Sequence, residues 1–232
     1  DLHALAARGV QLGWTPGVNA QAVAEVVLAR TIDLVRGLTA SDAAIRAGRF
    51  TQPLGRQVGA LRVGILGCGH VGKAVARAFR ALGARVIAHD IRDYADFYAA
   101  ASVRPVDLET LLAESDVLTV HLPLTSRTRG LVGAEALAQL PHGAILINTA
   151  RGGIVHEAAL ASALHSGSLG GAAVDVFDHE PPVDSPLLTA PNLLLSAHLG
   201  GSSESAVLAM GRAAIAGLDA HFPASAFFEL AE

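Results

Sequence analysis

Gly67, Gly69 and Gly72 stand in G-x-G-x-x-G order, with Cys68, His70 and Val71 between them. An apolar run over residues 61–66 leads into this string, and an Ala-rich amphipathic stretch over 71–82 leaves it. No other feature constrains the fold as strongly. Gly67 allows a tight turn, Gly69 lets backbone approach a pyrophosphate, and Gly72 lets the following helix pack closely on the strand, with the helix's first N–H groups facing the anion. The string therefore reads as the start of a dinucleotide-binding βαβ unit. His70 and Val71 join the three glycines as candidate cofactor contacts, although His70 and Cys68 need do no more than fill the variable positions of the turn.

The same alternation repeats downstream. Short Val/Ile/Leu-rich runs predict strands at 61–66, 85–89, 117–122, 144–148, 171–174 and 192–196, with a weaker one near Val103. Amphipathic stretches predict helices at 71–82, 108–115, near 134–139 and at 156–166, the last closed by Gly167. This order belongs to the α/β class, with a doubly wound parallel sheet of the Rossmann type buried on both faces. Two segments stand apart. Residues 1–18 read as a short helix, a strand at 10–14 and a turn at Pro16 and Gly17. Residues 21–37 form a long apolar helix, continued after a break at 40–48, that either crosses between domains or makes a subunit contact. A last helix is expected over 204–220.

Ligands bind outside the carboxyl ends of strands in open parallel sheets, so the polar residues at those ends are the candidates. Asp90 closes the second strand 18 residues beyond Gly72, where an acidic side chain meets the adenosine ribose hydroxyls. It favours NAD over NADP, whose 2′-phosphate it would repel, with Arg92 offsetting part of that repulsion. Pro123 and Thr125 follow the third strand, Thr149, Ala150 and Arg151 the fourth, Asp175 the fifth, and His198 with Gly200 the sixth. A guanidinium such as that of Arg151 holds a planar carboxylate bidentately and polarises a neighbouring carbonyl. Glu180, held in a turn by Pro181 and Pro182, is near enough in strand order to reach His198, and an adjacent carboxylate stabilises imidazolium for proton exchange near neutrality. Glycine-turn cofactor, arginine anchor and His–Glu pair together describe hydride transfer with acid/base assistance.

With Thr15-Pro16-Gly17-Val18-Asn19, His121-Leu122-Pro123-Leu124-Thr125, Asn148 to Gly153, Val174-Asp175-Val176-Phe177 and Glu180-Pro181-Pro182 added, the chain resembles the D-isomer-specific 2-hydroxyacid dehydrogenases over residues 1–220. The resemblance implies NAD as cofactor, Arg151, Glu180 and His198 as catalytic residues, and Asp175 as a partner of the nicotinamide carboxamide. It implies a small 2-keto or 2-hydroxy acid as substrate, with hydroxypyruvate, glyoxylate and 3-phosphohydroxypyruvate all open. It also implies a homodimer through the nucleotide domain, for which the 21–37 helix is the candidate contact. Family members carry a flavodoxin-like substrate domain built mainly from N-terminal residues. Because the chain begins at Asp1, in a helical pattern, residues 1–18 are expected to be a remnant of that domain. Residues 19–203 are then the NAD-binding domain with its crossover helix, and 204–232 a helix and tail returning towards the substrate domain. The segment 49–55 matches the family pattern only loosely. The chain alone is expected to bind NAD yet turn over slowly, since an open site does not exclude water.

Other classes fit less well. With 51% hydrophobic and 16% charged residues the chain can bury a sizeable core. A net charge of -4 provides no field for a nucleic-acid backbone. The apolar stretch at 20–38 is broken by Glu25, Arg30, Asp33 and Arg36, so no membrane span is expected. A single cysteine and no signal-like segment point to the cytoplasm. No His-Glu-x-x-His or Cys-x-x-Cys pattern suggests a metal, and neither a G-x-S-x-G elbow nor a Lys-Ser/Thr phosphate loop is present. Two alternatives stay open: an NAD(H)-sensing, co-repressor-like regulator on the same scaffold, and a phosphite-type dehydrogenase. A formate enzyme is disfavoured, because those carry glutamine where Glu180 stands.

Overall fold

The computed structural model describes residues 1–226. Helix α1 (Leu2–Ala7) and the short strand β1 (Gln11–Leu12) open the chain, followed by α2 (Ala20–Arg36) and α3 (Leu38–Arg46). Strand and helix then alternate: β2 (Arg62–Leu66), α4 (His70–Ala81), β3 (Arg85–His89), α5 (Ala95–Ala101), β4 (Arg104–Pro105), α6 (Leu108–Glu114), β5 (Val117–Val120), α7 (Ala134–Ala138), β6 (Ala144–Asn148), α8 (Glu157–His165), β7 (Leu169–Val174) and β8 (Leu193–Leu195). Helix α9 (Glu204–Ala216) and strand β9 (Phe222–Pro223) follow.

Strands β2 to β8 form one parallel sheet in the order β4-β3-β2-β5-β6-β7-β8. Every residue of β5 and β6 is buried, as expected of strands covered on both faces. One core gathers Leu118, Leu146 and Leu160, and the other gathers Val63, Ile65, Val75 and Phe79. Helix α4 contributes Val75, Ala76 and Phe79, one stripe at helical spacing, and burial of Phe79 alone stabilises the fold by about 2–3 kcal/mol. The chain leaves β2 towards β3 and β4, then returns to pair β5 on the other flank of β2. That reversal opens a crevice outside the carboxyl ends of β2 and β5.

Several elements differ from expectation. Helix α5 lies in a stretch with no predicted helix, because its Ala-rich run buries a single side chain, Tyr98, and so presents no apolar stripe. Its aromatics hold it instead: Tyr98 is buried, and Lys73 Nζ on α4 lies 3.4 Å from the centre of the neighbouring Tyr94 ring. Helix α9 ends at Ala216, capped by Gly217, four residues before the expected end. Strand β1 is two residues long and pairs antiparallel with β9. Helix α2 buries Ala24, Val27 and Thr31 within the chain, packed on α4, so the apolar face read as a subunit contact is largely used internally. The exposed apolar side chains lie just beyond it, at Ile45, Phe50 and Leu54. The expected tail falls partly at 227–232, outside the described residues. No helix among the described residues is long and apolar enough to cross a membrane.

Candidate active site

The loops leaving β2, β3 and β5 surround a cavity of about 420 Å³. Gly67, Gly69, Asp90, Pro123 and Thr125 line it, as does His121, whose motif the sequence displays without indicating a role. The glycine turn divides into two kinds of position. A Cβ at Gly67, which sits at φ 94°, would lie 2.7 Å from the His121 carbonyl oxygen, and one at Gly72 would lie 2.1 Å from the Gly67 oxygen. Those two glycines are needed by the fold. Gly69 has φ −69° and ψ −152°, and a Cβ there would meet no protein atom within 4 Å. Glycine at 69 therefore serves something outside the protein that approaches the backbone, at the first-turn N–H groups of α4 that no helical carbonyl can serve.

Asp90 braces this turn. Its Oδ2 accepts from the Cys68 N–H at 2.6 Å and its Oδ1 from the Arg92 N–H at 2.8 Å. Cys68 is buried, and burial pushes its thiol up to about 11, so it is an inert part of the turn. The His70 ring packs against the Thr15–Asn19 turn rather than the cavity: a Cβ at Gly17 would lie 2.6 Å from it. Neither His70 nor Val71 lines the cavity. Thr128 Oγ donates to the Pro123 carbonyl at 2.6 Å and accepts from the Thr125 N–H at 2.8 Å, which shapes the 123–128 wall. His121 Nε2 lies 2.8 Å from the buried Thr119 hydroxyl, and desolvation pushes its imidazole down to about 3, so the ring stays neutral.

The remaining candidates lie further along the same sheet edge. After β6, Asn148 closes the next loop by accepting from the Ala150 N–H at 3.1 Å and donating to the Arg151 carbonyl at 3.2 Å. Thr149 Oγ1 is buried with no hydrogen-bond partner, which costs about 1–3 kcal/mol unless a bound group supplies one. Arg151 is exposed and donates through Nη1 to the Ala150 carbonyl at 2.6 Å, leaving the rest of its donor fork for a ligand.

After β7 and β8, His198 Nδ1 lies 3.0 Å from Glu180 Oε2. The His198 hydrogen bond is the largest influence on Glu180, holding its carboxyl below the usual range, and Arg151 adds a smaller Coulombic pull in the same direction. His198 adopts φ 55°, a left-handed conformation that costs a non-glycine residue about 1 kcal/mol or more. Asp175 holds it there. The Asp175 carbonyl accepts from the His198 N–H at 2.9 Å, and its carboxylate accepts from Ser196 Oγ at 2.6 Å and from the Leu199 and Gly200 N–H groups at 2.8 Å each. Three donors occupy a carboxylate with about four acceptor sites, so a further contact must use what remains. Sequence position alone did not reveal this anchoring of the 196–200 loop.

A parallel sheet with a glycine turn at its switch point, an acid closing the next strand and an orphaned threonine along the edge defines a dinucleotide-binding domain whose residues fit the cofactor. The chain belongs to the D-isomer specific 2-hydroxyacid dehydrogenase family, whose NAD binding domain model matches residues 28–200. NAD is the cofactor of this domain. The chain is 36% identical over 214 residues to the D-3-phosphoglycerate dehydrogenase of Archaeoglobus fulgidus, spanning 91% of this chain and 41% of that protein. It is 39% identical over 222 residues to the glyoxylate/hydroxypyruvate reductase B of Pectobacterium carotovorum, covering 93% and 69%. Among solved structures, the D-lactate dehydrogenase of Aquifex aeolicus complexed with NAD and lactic acid superposes with a TM-score of 0.87 at 26% identity, covering 95% of this chain and 72% of that one.

Proposed function

We propose that the full-length protein interconverts a small D-2-hydroxy acid and its 2-keto acid. Bound NAD supplies a carbon that accepts hydride, and in its reduced form donates it. Arg151 holds the substrate carboxylate and polarises the carbonyl being reduced. His198 turns Nδ1 towards Glu180, which leaves Nε2 to give a proton to the substrate oxygen in reduction and to take it back in oxidation. Glu180 stabilises the imidazolium. The observation that carries this reading is the 3.0 Å His198–Glu180 contact beside the Arg151 loop, on the sheet edge that also bears the glycine turn.

The relatives named for phosphoglycerate, glyoxylate, hydroxypyruvate and lactate set the range of substrates to test. Full-length protein is expected to consume NADH with at least one of 3-phosphohydroxypyruvate, glyoxylate, hydroxypyruvate or pyruvate. Tight NADH binding with no turnover on any of them would favour the sensor reading instead.

Residues 1–18 and 204–226 are read as part of a second domain. The β1–β9 pairing outside the parallel sheet and the close approach of Gly13 to Gly217 support this. A second copy of the chain is proposed to cover Ile45, Phe50 and Leu54, whose exposure reaches 102% at Leu54, giving a homodimer. The setting is proposed to be cytoplasmic, where the one buried thiol stays reduced.

A further inference from the structure

We infer that Glu157 is a positioning residue for the His198–Glu180 pair, an inference that rests on the proposed dehydrogenase reading. Glu157 is the first residue of α8, behind the N-cap His156, so the helix fixes where its carboxylate sits. Its two oxygens hold the two ends of the loop that carries Glu180. Oε1 accepts from the Asp178 N–H at 2.8 Å, and Oε2 accepts from Ser185 Oγ at 2.5 Å. The Ser185 hydroxyl in turn accepts from the Leu187 N–H at 3.2 Å, at the buried base of the loop.

Between these anchors the loop has few other bonds to a fixed element. Glu180 Oε1 accepts from the Phe177 N–H at 3.2 Å, and its Oε2 faces His198. The same clamp reaches the Arg151 loop, because Asp178 Oδ1 accepts from the Gly153 N–H at 2.6 Å. Gly152 lies so close that a Cβ there would come 1.8 Å from the Phe177 carbonyl oxygen. Asp178 and the Gly152–Phe177 approach tie the two loops to each other, and the Glu157 carboxylate fixes where the Glu180 loop stands on α8. Both Glu157 oxygens are taken up by the Asp178 and Ser185 contacts, so the residue acts through those loops.

The test is a double-mutant cycle in full-length protein. Glu157→Ala is expected to lower kcat by about tenfold to a hundredfold, the cost of displacing a catalytic group by about 1 Å, with NADH affinity within about twofold of wild type because the glycine turn is remote from the clamp. Glu157→Gln retains an acceptor for Asp178 and a partner for Ser185, and is expected to recover most of kcat. In a Glu180→Ala background, Glu157→Ala is expected to lower kcat further by clearly less than it does in wild type, since the part acting through Glu180 is already lost and only the Asp178–Gly153 link to the Arg151 loop remains. Multiplying losses, or a Glu157→Ala enzyme with unchanged kcat, would overturn the inference. If Glu157→Ala does not fold, Ser185→Ala releases one end of the loop and is read in the same cycle. Wild-type protein inactive on every 2-keto acid would instead remove the underlying reading.

Discussion

Gly69→Ala separates what the fold needs from what the cofactor needs. Two small terms act on stability. Alanine is a poorer helix N-cap than glycine by a few tenths to about 1 kcal/mol, and it restricts the unfolded chain, which returns about 0.4–1 kcal/mol. The added methyl meets nothing within 4 Å. The net change should stay within about 1 kcal/mol, or roughly 2–4 °C in Tm for a chain of this size. Binding is another matter. A methyl at the mouth of α4 holds a pyrophosphate off the backbone and weakens charge-assisted N–H bonds worth about 1.5–3 kcal/mol each. Two such bonds lost correspond to at least about a hundredfold in Kd. Gly72→Ala is the contrast, because its Cβ would lie 2.1 Å from the Gly67 oxygen. Overpacking there costs about 1–3 kcal/mol against about 1 kcal/mol gained in helix propensity, so Tm should fall together with binding. Isothermal titration with NADH and thermal melts of both variants decide the matter. A Gly69→Ala protein that binds NADH within twofold of wild type would refute the reasoning, because the turn would then not be the place where a dinucleotide approaches the backbone.

Three further outcomes are expected. His198→Ala should lower kcat by about 10²–10⁴-fold while leaving NADH affinity nearly unchanged, as steady-state kinetics and titration together would reveal. Asp90→Ala should improve NADPH use relative to NADH by relieving repulsion of the 2′-phosphate, and should also loosen the turn at Cys68, so the ratio of kcat/KM values for the two cofactors is the measurement. His121 stays neutral in the folded protein down to about pH 3, whereas the unfolded chain protonates it near 6.5. The unfolded state then holds more protons between those values, so stability is lost as pH falls below about 6.5, at no more than about 1.4 kcal/mol per pH unit. Part of the residue still touches solvent, which reduces the slope. His121→Leu should flatten denaturant-derived stability between pH 6.5 and 4.5, and an unchanged slope would place the titration elsewhere.

Local pattern carried most of the sheet because strands buried on both faces appear as continuous apolar runs. β3 and β6 match their sequence runs to the residue. The sheet edge was legible for the same reason, since strand ends locate Asp90, Thr149, Asp175 and His198 once the strands are known. Facts that live in tertiary contacts were not legible. An apolar stripe identifies the inward face of α2 but not that α4 is what covers it, and the short α5 is held by Tyr98 and the Lys73–Tyr94 contact rather than by its own period. Glu157 resembles any first-turn acid of a helix until the loop it clamps is folded against it.

The acids at this edge share a task that spacing alone does not express. The loops leaving parallel strands have no ladder to receive their N–H groups, so these groups bond to side chains or water instead. Carboxylates take them: Asp90 those of Cys68 and Arg92, Asp175 those of Leu199 and Gly200, Asp178 that of Gly153, Glu157 that of Asp178, and Glu180 that of Phe177. All but the last lie at 2.6–2.8 Å, as charge-assisted bonds should. Each loop is therefore shaped before a ligand arrives, and the left-handed His198 is held by bonds on both sides of its Cα rather than by substrate. An edge built this way needs little reorganisation during proton transfer. It also follows that replacing one of these acids should disturb a neighbouring loop before it disturbs charge, so amide replacements that retain an acceptor should be milder than alanine at Asp175 and Glu157 but not at Glu180, where the charge itself supports the imidazolium.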